Sequence, residues 1–343
     1  MKRLLNTLYI VSEDAYLSLD GENIKISYPD GKHNEVPLHL LESILSFSYK
    51  GASSALMGKC AEKGIYLSFF KPNGRYLASV ANTTNGNVHL RREQYRIADN
   101  DSRSLRIAVN MICGKLYNSR WVIERTIRDH SLRVHTDALK KASDSIKAYM
   151  KDAYSASSVE QLRGIEGNSA AEYFGVFNEF ILQNEDAFIF TERSRRPPLD
   201  RVNALLSFSY ALLSNECAAA LYGVGLDPYV GFLHTDRAGR KSLALDLMEE
   251  LRSPFADRFI ISLINNRIIG PDDIEISESG ACELTEKGRN CFLEEWQKKK
   301  RQPITHPYLK EKISWGLVPH AQAMLLARHI RNDLDEYPPF FWK

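Results

Sequence analysis

The sequence has no pair of cysteines at CxxC spacing, although five cysteines are present: Cys60, Cys113, Cys217, Cys282 and Cys291. Scattered and odd in number, they argue against a disulfide framework and a zinc ribbon, and they suit a reducing compartment. No apolar run reaches about 18 residues, and Lys2 and Arg3 are not followed by the apolar stretch of an export signal. The expectation is a soluble, cytoplasmic protein with no membrane partner. An excess of either charge is lacking too: 45 basic and 43 acidic residues leave a net +2. A surface for a polyanion must therefore come from local clustering. The GxxxxGKS phosphate loop, the GxGxxG fingerprint and the GxSxG elbow are all missing, which argues against a nucleotide-driven engine and a serine hydrolase.

What is present divides in two. Short runs rich in β-branched and aromatic residues (Leu5 to Val11, Ala15 to Leu19, Ile24 to Tyr28, Ile44 to Phe47, Ile65 to Phe70, Arg75 to Val80) alternate with turn residues. Ser53 or Ser54 caps one helix that Gly64 closes. This predicts a small β-rich domain over residues 1–85, a platform for dimerisation or docking, since His33 and His39 lack acidic partners at useful spacing. The polar segment Asn82 to Asn87 marks the boundary. Residues 86–343 then read as helical, so the fold class is α+β with the larger domain all-α. Its first helical stretch is basic, from Arg91 through Lys115 to Arg133, and faces either solvent or a polyanion.

The stretch that draws attention is Gly231 to Arg252, GFLHTDRAGRKSLALDLMEELR. His234 follows an apolar run, and a basic turn (Arg237, Arg240, Lys241) leads to a helix carrying Asp246 and Glu249. Three residues apart, those two carboxylates leave on one helical face. An imidazole with convergent carboxylates suits Mg²⁺ or Mn²⁺ better than a closed zinc site. A further carboxylate, Glu166, stands between Gly164 and Gly167 with Arg163 beside it. Those glycines remove bulk that would block another backbone, a metal or a phosphate. Arg193, Arg195 and Arg196 crowd the proline-broken loop TERSRRPPLDR, a candidate for phosphate contact. Tyr210 and Tyr222 interrupt or end an apolar helix, with no fixed role. The EYPPFFWK tail has aromatics that can either pack on the body or dock a partner.

RGIEG around Glu166, GLDPYVGFLH ending at His234, and SLALDLMEE occur in that order. Together they resemble the CRISPR-associated endonuclease and integrase family called Cas-one. NTLYIVSEDAYLSLDGENIKI, PLHLLESILSFSYKGASSALMGKC, GNVHLRREQY and DLDEYPPFFWK are most like its type I-C branch. The resemblance implies a β-sandwich-like N-terminal domain and a helical catalytic domain, with Glu166, His234 and Glu249 as metal ligands and Asp246 in support. It also implies a homodimer that works with Cas-two dimers on double-stranded DNA, joining fragments to the CRISPR repeat. The same residues serve two other readings, a nuclease or branched-DNA resolvase using water, and a non-catalytic DNA-binding scaffold.

Overall fold

A computed structural model describes residues 7–41, 43–72, 76–80, 88–183 and 186–342. Seven strands and one helix come first: β1 (Thr7–Ile10), β2 (Tyr16–Asp20), β3 (Asn23–Ser27), β4 (His33–Pro37), β5 (Ser43–Ser46), α1 (Ser54–Lys63), β6 (Tyr66–Phe70) and β7 (Tyr76–Val80). The strands β2-β3-β4 form an antiparallel sheet; β1-β5-β6-β7 form a second, parallel except for β7. Period-2 alternation explains what holds the two sheets together. Leu17, Ile24 and Ile26 of the first sheet share one buried cluster with Ile10, Ile44 and Leu67 of the second and with Leu56 and Cys60 of α1. The ends of α1 follow their sequence signals: Ser53 Oγ accepts from Leu56 N at 3.2 Å, and Gly64 closes the helix at φ 70°. Strand β4, absent from the β-rich runs above because of its polar composition, pairs His33 with Ser27 at a sheet edge.

The remainder is mostly helical: α2 (Val88–Ala98), α3 (Asp101–His130), α4 (Thr136–Tyr154), α5 (Val159–Gly175), α6 (Arg201–Val224), α7 (Ser242–Glu249), α8 (Arg258–Asn265), α9 (Glu286–Arg301) and α10 (Val318–Ile330). It is not all-α. Two short ribbons, β8 (Ile274–Ile276) with β9 (Cys282–Leu284) and β10 (Pro303–Thr305) with β11 (Lys312–Ser314), interrupt it. The expected domain boundary at 82–87 lies outside the described residues. By length and composition α6 could cross a bilayer, but 72% of its apolar window is buried inside the chain, so a core position accounts for its hydropathy. Phe208 of α6 stacks on Phe47 of the β-rich region at 6.0 Å, which joins the two parts.

Ser253 and Pro254 lie in a widened π-helical turn, Arg252–Asp257, that runs into α8. Hydrogen bonding at longer spacing accommodates a residue without an N–H. The aromatic tail packs on the body. Tyr337, Phe340 and Trp342 are buried, and the guanidinium groups of Arg258 (4.5 Å) and Arg125 (5.7 Å) lie over the Trp342 ring. Asn118 fastens the tail, donating to Phe340 O at 2.7 Å and accepting from Trp342 N at 2.8 Å.

Candidate metal centre and nucleic-acid surface

The loop before α7 is folded around one carboxylate. Asp246 Oδ2 accepts from the backbone N–H groups of Phe232 (2.7 Å) and Leu233 (3.0 Å), and Oδ1 accepts from His234 N (3.0 Å). The ring Nδ1 of His234 reaches the same Oδ1 at 2.6 Å. Four donors offset the cost of burying Asp246 completely. The loop can lie this close only because residue 231 is glycine: a Cβ there would meet Asp246 Oδ2 at 2.7 Å and Ser242 Cβ at 2.9 Å. With Nδ1–H donated to Asp246, the Nε2 lone pair of His234 is left open, and it has no protein partner among the described residues.

Glu166 and Glu249 come from different helices and touch the same atom. Lys115 Nζ, projecting from α3, contacts Glu166 Oε1 and lies 2.8 Å from Glu249 Oε2. Arg252 Nη2 holds the other oxygen, Glu249 Oε1, at 2.8 Å. Burial by itself would raise the Glu249 carboxyl, but Arg252, Lys115 and the nearby His234 hold it well below the ordinary carboxylate range. Glu249 Oε2 is buried with an ion pair but no directional hydrogen bond. Among the described residues no three His, Cys, Asp or Glu side chains form a ready-made metal cage. The position for positive charge between the two carboxylates is already taken by the Lys115 ammonium. In kind, the donors fit a hard divalent cation: two carboxylates, one of them with an oxygen lacking a directional partner, and an imidazole nitrogen oriented by a carboxylate.

Asp246 and Glu249 leave one face of α7, as their spacing predicts, yet they serve different purposes. Asp246 is fully occupied as the positioning residue for His234, and Glu249 faces Glu166. The cap of α5, which carries Glu166, is Ser158: its Oγ accepts from Gln161 N at 3.1 Å. A Cβ at Gly164 or Gly167 would meet nothing within 4 Å, so no chain approaches Glu166 on those sides.

The basic candidates separate into two groups. Arg163, Arg237 and Arg240 form a cluster near the site. Burial, then the charges of Arg237 and Arg163, pull the Arg240 guanidinium down, while Asp246 pulls it up. Arg163 keeps an ion pair with Glu160 at 3.2 Å, Arg237 is exposed, and Arg195 and Arg196 are exposed on their loop. Arg193 and Lys241 do not fit the expected contact with DNA. Arg193 turns inward to Asn203 Oδ1 at 2.6 Å and Ser207 Oγ at 3.2 Å, with Tyr210 under its guanidinium. Lys241 is buried over the Tyr76 ring at 3.5 Å, with Asn215 Oδ1 at 3.4 Å. Its ammonium finds two aromatic faces, Tyr76 and Tyr66, where burying four methylenes is favourable.

Much of the basic stretch before residue 134 is likewise paired within the chain, as Arg103 with Glu93 (2.7 Å), Arg120 with Glu124 (3.2 Å) and Arg128 with Asp129 (2.8 Å). The Lys298–Arg301 run is held partly by Glu216 and Glu294. Tyr210 donates to Asp257 Oδ1 at 2.6 Å and lies 4.7 Å under Arg252, so it braces the arginine that holds Glu249. Tyr222 stands apart, beside Tyr66 at 5.9 Å.

Sequence reasoning missed Lys115 and Arg252 as parts of this centre. For Lys115 a signal existed: it lies on the helical stripe of Ala108, Met111, Ser119 and Val122, all buried. A lysine on an apolar stripe needs a buried counter-charge. Arg252 is three residues beyond Glu249, where the continuing helical turn brings the pair together.

Comparison with known proteins places these features in a family. The family model described as CRISPR associated protein Cas1 matches residues 8–298. The CRISPR-associated endonuclease Cas1 1 of Chlorobaculum tepidum is 43% identical over 343 residues, covering all of both chains. Among solved structures, a casposase bound to integration product superposes with a TM-score of 0.85 at 20% identity, over 99% of this chain and 95% of that one. A chain of a Cas6-RT-Cas1–Cas2 complex gives 0.83 at 22% identity, over 98% of this chain and 36% of that one. The two structures support the fold, and with the family model and the full-length relative the chain belongs to the Cas1 family of CRISPR-associated endonucleases.

Proposed function

We propose that this chain is a metal-dependent DNA endonuclease and integrase of CRISPR adaptation, which joins the 3′-hydroxyl ends of short DNA fragments into the CRISPR repeat. The observation that carries the reading is the meeting of Glu166 and Glu249 at one cation position, with His234 held by Asp246 so that its Nε2 stays open. Glu166, Glu249 and His234 would hold Mg²⁺ or Mn²⁺. When bound, such an ion neutralises a phosphodiester and activates an attacking hydroxyl. Asp246 fixes the tautomer and direction of the imidazole. Arg163, Arg237 and Arg240 hold backbone phosphates, and Arg195 and Arg196 extend that surface. In the transesterification a new bond forms from the 3′ oxygen to phosphorus as the bond to the leaving oxygen breaks. One phosphodiester replaces another, so no ATP is required.

The assembly we propose is a homodimer bearing its β-rich domain, residues 1–85, as a docking platform, working in the cytoplasm with Cas2 dimers on double-stranded DNA. Similarity to a chain of a Cas1–Cas2 complex supports the partner, and the segments quoted above support the type I-C branch. Strand transfer in Mn²⁺ tests the site. Folded Glu166→Ala, His234→Ala and Glu249→Ala proteins should give no joined product; retention of joining by all three sinks the reading. Relatives named as endonucleases favour a second use of the same site, with water as nucleophile. A fragment with a blocked 3′ end separates the two, because joining is lost and hydrolysis is not.

A further inference from the structure

Lys115 is the cation at the centre of the site. It is buried on a mostly apolar helical stripe, and its ammonium contacts a carboxylate from α5 and another from the end of α7. A buried lysine tolerates such a position only with opposite charge beside it. The reverse also holds. Glu249 is almost entirely enclosed, and Glu166 faces it across the ammonium. Two facing carboxylates with no cation between them repel, and that repulsion is strong where water is excluded. Arg252 relieves it only in part, because it holds Glu249 by the other oxygen and does not stand between the two carboxylates.

We infer that Lys115 is a built-in placeholder: its ammonium holds Glu166 and Glu249 together while the site is free of metal, and it is displaced when a divalent cation binds those carboxylates. The inference rests on the metal-site reading above and adds an exchange to it. Counting formal charges, Glu166, Glu249, Lys115 and Arg252 sum to zero. A divalent cation added beside a retained ammonium would meet direct repulsion, so the two compete for one place. The site is thereby assembled before the metal arrives, and its apparent affinity for metal is lowered by the competition. Lys115 is in these terms a positioning residue, acting through the two glutamates.

The test uses the full chain and Mn²⁺ alone, followed by electron paramagnetic resonance or calorimetry, with no DNA and no turnover. Lys115→Met keeps the length of the side chain and removes its charge. It should bind Mn²⁺ about tenfold more tightly than the wild type. Without metal it should melt at a lower temperature, and added Mn²⁺ should raise its melting temperature by more than it raises the wild type's. Unchanged or weaker Mn²⁺ binding by folded Lys115→Met overturns the inference.

A second measurement needs no variant. Acylation of wild-type lysines, read by mass spectrometry at the peptide holding Lys115, should speed up at that residue when Mn²⁺ is added. Unchanged or slower labelling means that the ammonium stays in place, which also overturns the inference. Glu166→Gln distinguishes the two levels of the argument. If the wild type binds Mn²⁺ and Glu166→Gln does not, the site stands and only the role of Lys115 is being judged. If Glu166→Gln binds as the wild type does, the metal-site reading fails and the placeholder falls with it.

Discussion

Glu249 and Glu250 are neighbours in sequence, both are buried, and they leave the end of α7 into opposite surroundings. Glu249 meets formal charges, Lys115 and Arg252, each at 2.8 Å. Glu250 meets neutral donors: Tyr337 OH at 2.5 Å, Gln322 Nε2 at 3.0 Å and the backbone N–H of Phe340. Burial pushes the Glu250 carboxyl up to about 8 in spite of those hydrogen bonds, whereas cations hold Glu249 low. At Glu250 three neutral donors do not make up for the lost hydration, whereas at Glu249 two full positive charges do. One side of α7 is therefore a charged centre suited to a cation, and the other is a dry anchor for the C-terminal tail. Gly114 marks how tightly that anchor is packed, since a Cβ there would stand 3.1 Å from Glu250 Cγ and 3.2 Å from Pro339 Cβ.

The contrast is broken most severely by removing a ligand. If the proposed metal reading holds, Glu166→Gln or Glu249→Gln should lower Mn²⁺-dependent DNA cleavage by roughly 1000-fold or more, because a bound ion would lose a charged ligand. Gel-based cleavage of a supercoiled plasmid measures this, and residual activity within tenfold of wild type would argue against a charged centre. On the anchor side, Phe340→Ala should cost about 3–5 kcal/mol of stability in urea melts, since it empties a fully enclosed ring site. Cleavage per folded molecule should change far less than in the ligand variants.

The pH dependence sharpens the comparison, since the two glutamates have opposite signs. The folded value of Glu250 is raised, from 4.5 to about 8, so its contribution is complete below pH 4.5 and is lost as pH rises towards 8. Relative to Glu250→Gln, the wild type should lose on the order of 5 kcal/mol across that window. Glu249 is depressed, so its contribution is present above the ordinary carboxylate range and disappears as pH falls below it. Melting curves of both Gln variants from pH 3 to pH 9 test whether the slopes oppose. A smaller effect is expected from Asp246→Asn, which keeps the shape but weakens the hold on His234: Mn²⁺ affinity should fall about 10- to 100-fold. Smallest, Arg237→Ala should weaken DNA binding only a few-fold and reduce its salt dependence by about one ion.

How much of this was legible varies with the kind of signal. Short-range rules located α1 through Ser53 and Gly64, and apolar periodicity located α6 as the core helix. The Asp246 and Glu249 spacing correctly put two carboxylates on one helical face, and the motifs around Glu166 and His234 supplied their companions by resemblance. Lys241 and Arg193 were misread because a basic residue in a loop looks alike whether it faces a phosphate or folds back onto tyrosine. The strand of His33 was missed because edge strands carry polar side chains on their open face.

By itself, then, the sequence determined the strands-then-helices order, the apolar stripes, the helix ends and the residue types a cation would need, since all of these follow from local periodicity and side-chain chemistry. Only the tertiary structure decided which charges meet. Lys115, Glu166 and Glu249 lie on three helices, and Asp246 turns to a loop instead of joining them. The electrostatic energy of a buried group depends on distances of a few ångströms between segments far apart in the chain, and no local pattern encodes those distances.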